Sequence, residues 1–145
     1  MTITLSEIQE NLSFCETPEE QYSYIIDLGK QLAPYPDDKK DATHEIHGCS
    51  STIWFTYNKD PIGKYHFLFS SDALIVRGLL FIVATIFDGL SPSEISTIDT
   101  QKIFTDLGLY TILSNQRQVG LSSVIKRIQE IDYSLPPKTQ APSKS

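Results

Sequence analysis

Apolar positions recur along this chain with two periods, and each change of period marks a change of element. Up to about residue 32 the spacing is helical. Ser6-Glu7-Ile8-Gln9 and Thr17-Pro18-Glu19-Glu20 each set a hydroxyl at N-cap and Gln or Glu at N3, and the second adds Pro at N1. The second helix is expected to run to about Leu32, with Tyr22, Ile25, Ile26, Gly29 and Leu32 on one face, stopping before Pro34 and Pro36. Pro34 to Thr43 is polar and turn-rich. The period then becomes two: Ile53, Phe55 and Tyr57 alternate with Thr52, Trp54 and Thr56. Beyond the turn-forming run Asn58 to Gly63, Tyr65, Phe67 and Phe69 alternate with Lys64, His66 and Leu68. This is a β-hairpin, and His44 to His47 is the expected place of a third strand.

Ala73 to Phe87 is apolar on nearly every side, with Arg77 inside it, which predicts a helix buried at the centre of the domain and capped by Gly89. Ser91-Pro92-Ser93-Glu94 repeats the capping pattern, so short helices are expected over about 92–98 and 101–107, with Gly108 as a stop. Ser114 then caps a long last helix striped by Leu121, Val124, Ile125, Ile128 and Ile131. The fold class is α+β: a small antiparallel sheet of about three strands, helices on one face of it, a long buried central helix and a long C-terminal helix. Residues 1–133 make one domain, and residues 134–145, with three prolines and no aromatic, are expected to be a disordered tail.

At 145 residues one core suffices. The net charge of −6 changes the picture more. Between Glu7 and Asp27 there are six acids and no base, a poor surface for nucleic acid or for an anionic membrane. The apolar run of 15 residues is too short to span a bilayer. No leader pattern surrounds Met1, so a cytoplasmic location is expected.

Two cysteines, in no CxxC, are too few for a disulfide framework and are read singly. Cys49 stands in Gly48-Cys49-Ser50-Ser51, where a glycine lets the backbone turn and small neighbours leave a sulfur accessible; it is either a nucleophile or a small buried hydrophobe. Cys15 follows Ile8 and Leu12 at helical spacing and is expected on the core side of the first helix. His44, His47 and Cys49 with Asp72 would make four donors, but the spacing is not a recurrent zinc pattern and no metal is expected. Asp72 near a helix start suits the macrodipole, whereas Arg77 and Arg117 oppose it, so a partner carboxylate or an anionic site is expected beside them. No GxGxxG, P-loop, HExxH or Ser-His-Asp order is present.

Gly48-Cys49-Ser50-Ser51-Thr52-Ile53-Trp54, then Ser71-Asp72-Ala73-Leu74-Ile75-Val76-Arg77-Gly78-Leu79, then Leu113-Ser114 with Arg117, Gly120 and Leu121, resemble the SufE/CsdE family of sulfur acceptor proteins. Tyr22 to Lys30 fits the same family's second helix, and the resemblance covers about residues 5 to 131. It implies the SufE/IscU-like fold. It also implies a non-enzymatic acceptor, Cys49, which takes sulfane sulfur from the persulfide of a SufS-like or CsdA-like cysteine desulfurase, stimulates that enzyme, and passes sulfur on to an iron–sulfur scaffold or another acceptor. The chain itself then needs no cofactor; the partner carries pyridoxal phosphate. Gly48, His47, Ser51, Asp72, Arg77 and Arg117 become supporting residues: an arginine would favour the thiolate and dock the desulfurase, and Asp72 would order the loop through its backbone N–H groups. His47 stands where many members have Gln. A homodimer is compatible with the resemblance. The competing reading, an IscU-like cluster scaffold, normally takes three cysteines and a further ligand, and Cys15 lies in the wrong block for that.

Overall fold

The computed structural model describes residues 3–47 and 50–135. Gly48 and Cys49, to which two of the site expectations attach, lie outside the described residues, as does the segment 136–145.

Helix α1 (Leu5–Phe14) starts two residues earlier than the Ser6 pattern suggests. Thr4 is the N-cap: its Oγ1 accepts the Glu7 N–H at 3.1 Å, and Glu7 Oε1 accepts the Thr4 N–H at 2.8 Å. Two overlapping boxes compete here, and an anionic Glu is worth more than a neutral Gln at the positive end of a helix. Helix α2 (Pro18–Gly29) is capped by Thr17 as expected but stops at Gly29 rather than near Leu32. Its buried face is Ile25, Leu28 and Gly29, while Tyr22 lies exposed at the rim.

The hairpin pairs β1 (Ile53–Lys59) with β2 (Tyr65–Ser71), antiparallel, from Ile53 opposite Ser71 to Lys59 opposite Tyr65. Asp60 Oδ1 accepts the N–H groups of Ile62 and Lys64 and shapes the turn between them. On the inner face Phe55 stacks on Phe67 and Phe69, with centroids 5.9 and 5.5 Å away, and each ring buried here contributes on the order of 2–3 kcal/mol. The expected third strand shrinks to one bridge, Glu45 to Trp54. Its first residue, His44, instead ends a 3-10 turn, Ala42–His44, whose N-cap Asp41 accepts the His44 N–H at 3.0 Å, and only Glu45 and Ile46 remain beside β1. Among the described residues the sheet therefore has two strands.

Helix α3 (Leu74–Phe87) has ten buried residues and packs against α2 and β2, as its all-round apolarity predicts. Helices α4 (Pro92–Thr97) and α5 (Thr100–Asp106) follow, capped by Ser91 and Asp99. Gly108, at φ +74°, does stop α5, but it also turns the chain into a further short helix, α6 (Leu109–Ile112), that periodicity does not reveal. Helix α7 (Asn115–Gln129) starts at Ser114 as expected, and Ile131 is buried although it lies beyond the helix end. One core cluster joins all these elements. No helix of the described residues is long and apolar enough to cross a membrane.

Candidate functional site: the stem of the cysteine loop

Cys49 belongs to a loop whose neck is visible on both sides. The Ile46 N–H donates to the Ile53 carbonyl at 2.8 Å, so residues 47–52 form a loop closed by a backbone bond. Cys49 itself is outside the described residues. His47, on the arriving limb, is exposed, and so is Ser50 on the departing limb.

The departing limb is fastened to two helix starts. Arg117, in the first turn of α7, donates from Nη1 to Ser51 Oγ at 3.1 Å. Ser71, the last residue of β2, donates from Oγ to the Thr52 carbonyl at 2.6 Å and accepts the N–H of Ala73, the N-cap of α3, at 3.2 Å. Arg77 Nη1 lies 3.5 Å from the Ser71 carbonyl, a long contact from one helical turn further along. Between limb and helices is a mainly aliphatic cavity of about 20 Å³, lined by Ser51 and Ile53 of the limb, Val76 and Leu80 of α3, and Arg117 and Leu121 of α7.

Of the two expectations for Arg77 and Arg117, a partner carboxylate or an anionic site, the carboxylate is not found among the described residues. Among the described residues neither forms an ion pair; both donate to neutral oxygens of the stem. The N-terminus of α3 also lacks a side-chain cap. Two half-buried cations, neither paired with an acid among the described residues, and the starts of two long helices thus gather at residues 50–53, with Asp72 exposed at the rim, and such a place favours an anion such as a thiolate.

Asp72 is exposed beside Ser71 and makes no side-chain hydrogen bond among the described residues, so the oxygen at the start of α3 that accepts a backbone N–H belongs to Ser71. His44 is committed to its own turn, with Nδ1 2.7 Å from Asp41 Oδ1. Bonds from Thr43 and His44 bring the Asp41 carboxyl down to about 2. No group of three or more metal-ligating side chains occurs among the described residues, which do not include Cys49. Cys15 is half-buried at the C-cap of α1, with Sγ 3.6 Å from the Asn11 carbonyl. Ser71 is the residue that sequence reasoning missed. Its signal is a serine ending a strand two residues before a helix N-cap, the spacing at which a hydroxyl accepts the i+2 N–H.

Residues 6–132 match the family described as SufE: Fe-S metabolism associated domain. The chain belongs to the SufE family. An uncharacterized SufE-like protein of Rhizobium meliloti (strain 1021) is 39% identical over 131 residues, covering 87% of this chain and 92% of the relative. A second uncharacterized SufE-like protein, from Rhizobium etli, is 37% identical over 132 residues, covering 88% of each. The fold is shared with the solution structure of a hypothetical protein from Thermus thermophilus, at a TM-score of 0.68 and 18% identity over 86% of this chain and 90% of the other. The SufE match begins in α1 and ends past α7, so the loop stem and both helix starts that hold it lie inside the domain.

Proposed function

We propose that this SufE domain is a sulfur acceptor that takes persulfide sulfur from a pyridoxal-phosphate-dependent cysteine desulfurase onto Cys49 and delivers it to iron–sulfur cluster assembly. The observation that carries this reading is the pair of arginines, unpaired with acid among the described residues, whose guanidinium groups bond the stem of the one loop that holds Gly48-Cys49-Ser50-Ser51. An ordinary thiol has a pKa near 8.5 and is only a few per cent thiolate, roughly, near neutral pH; nearby cations and helix N-termini increase that fraction. Arg117, through Ser51, and Arg77, through Ser71, serve this role.

In the transfer, the Cys49 thiolate attacks the terminal sulfur of the desulfurase cysteine persulfide. A new S–S bond forms to Cys49, the old one breaks, and the desulfurase cysteine leaves as thiolate with the electron pair. One persulfide is lost and one gained, so no outside oxidant or reductant is required. Carbon–sulfur chemistry stays with the partner, a SufS-like or CsdA-like enzyme, and this chain acts as its accessory.

Intact-mass analysis after incubation with cysteine and such a desulfurase tests the reading. The expected result is one added sulfur atom per chain, retained in Cys15→Ser and absent in Cys49→Ser. Sulfur added equally to both single variants would remove Cys49 from its role. About one iron or zinc per chain, lost with Cys49→Ser, would favour the scaffold reading instead.

A further inference from the structure

Ser71 is 5% exposed, and a hydroxyl at that depth is costly unless its hydrogen bonds are made. Both are made, and they join three elements. Ser71 ends β2, its Oγ donates to Thr52 in the limb that leaves the cysteine loop, and the same oxygen accepts the N–H of the α3 N-cap, Ala73. The backbone ladder of the hairpin reaches as far as Ile53 opposite Ser71. Thr52 is one residue outside it, on the side of Cys49. Without the hydroxyl the Thr52 carbonyl would be free to rotate, and with it the direction in which residues 50–51 leave the sheet. The 2.6 Å bond extends the pairing by one residue, to Thr52.

We propose that Ser71 is a positioning residue for the acceptor cysteine: its hydroxyl clamps Thr52 to the start of α3 and so fixes the limb, residues 50–52, that carries the cysteine loop. The proposal rests on Cys49 being the acceptor. The geometry sought in a transfer between two proteins is narrow, and a misplacement of about 1 Å costs up to a hundredfold in rate. A limb swung away from Arg117 and the helix starts would also weaken any contribution of their field to the thiolate.

The experiment compares Ser71→Ala and Ser71→Thr with their parent in a Cys15→Ser background, so that Cys49 is the sole thiol. Three quantities are read on the full chain: melting temperature, iodoacetamide alkylation rate against pH, and the single-turnover rate of sulfur loading from a desulfurase supplied with cysteine. Ser71→Ala is expected to move the alkylation midpoint upward by about half a pH unit or more and to slow loading about tenfold or more. Ser71→Thr, which keeps the hydroxyl, is expected to restore most of both. Parent-like alkylation and loading in Ser71→Ala would overturn the proposal, as would a Ser71→Thr protein that behaves like Ser71→Ala. A measurement on the parent alone guards against a variant that does not fold. The Ala73 amide, whose acceptor is Ser71 Oγ, is expected to exchange with solvent deuterium as slowly as the ladder amides of β2, and exchange at the rate of an exposed loop would overturn the clamp. If the parent takes up no sulfur the acceptor reading fails, and the alkylation profile still decides whether Ser71 positions the thiol.

Discussion

Arg77 and Arg117 each carry a cation into the first turns of a helix, against the dipole, and each directs it at oxygens of the loop stem rather than at a carboxylate. His66 does the opposite at the far end of the hairpin. Its Nε2 lies 2.9 Å from Asp60 Oδ2 and its Nδ1 3.1 Å from Asp88 Oδ2, so one ring joins the β-turn to the C-cap of α3. The bonds from Asp60 and then Asp88 raise the His66 pKa, and the bond from His66 is the largest cause lowering that of Asp60. The signs follow. A histidine whose folded pKa is raised stabilises fully below its unfolded value, about 6.5, and loses that contribution as pH rises through the folded value. Asp60, lowered, stabilises above the ordinary carboxylate range and loses its contribution as pH falls through its folded value. The urea midpoint of the protein is therefore expected to be higher at pH 6 than at pH 9, and His66→Gln to remove part of that difference. An equal pH dependence in the variant would show that the ring contributes nothing to it.

At the scale of elements, the height of α3 against α2 is set by glycine. A Cβ built on Gly78 would fall 1.9 Å from the Ile25 carbonyl oxygen, and one on Gly29 2.8 Å from the Gly78 nitrogen. Backbone meets backbone here, and no side chain can yield to make room. Gly78→Ala is expected to destabilise by about 3 kcal/mol or more, since the helices must part to admit one methyl. Chemical denaturation measures this, and a loss under about 0.5 kcal/mol, the range of ordinary surface substitutions, would contradict the close crossing. The crossing explains what was legible in the sequence. Gly78 and Gly29 sit within blocks that carry the family resemblance, and caps such as Thr17, Ser91 and Ser114 stand where their sequences place them because a cap needs only four consecutive residues. What was not legible depends on partners distant in sequence. The Asp41 cap took the first residue of the expected third strand and left a single bridge at Glu45, α6 is too short to show a period, and the Ser71 bond to Thr52 spans 19 positions. The candidate site divides the same way. Cys49 and its flanking blocks were recognisable as a resemblance, whereas the neutral oxygens that receive the arginines were visible only in three dimensions.

At the scale of the molecule, the question is where the SufE domain ends as a folding unit. The family match stops at residue 132, but the packing does not. Tyr133, past the end of α7, sets its ring against Tyr65 with centroids 4.6 Å apart and against Tyr57 at 6.2 Å, both edge-on. Its hydroxyl donates to the Ile128 carbonyl at 2.8 Å, and its own carbonyl accepts from Tyr65 Oη at 3.3 Å. Burial among these rings pushes the Tyr57 phenol up to about 12 and raises that of Tyr133 as well. Losing a half-buried aromatic with two such bonds is worth about 3 kcal/mol, which for a domain of this size lowers the melting temperature by roughly 10 °C. A chain ended after Leu135 is therefore expected to melt with the full-length protein, and a chain ended after Ile131 to melt well below it. Equal melting of all three would make Tyr133 an ornament of the surface, while early melting of the chain ended at Leu135 would extend the folding unit into residues 136–145. The distinction reaches the site, because α7 is bound at one end by Tyr133 and at the other presents Arg117 to Ser51. If the two ends communicate through the helix, the chain ended after Ile131 should also load sulfur more slowly at a temperature where it is still folded.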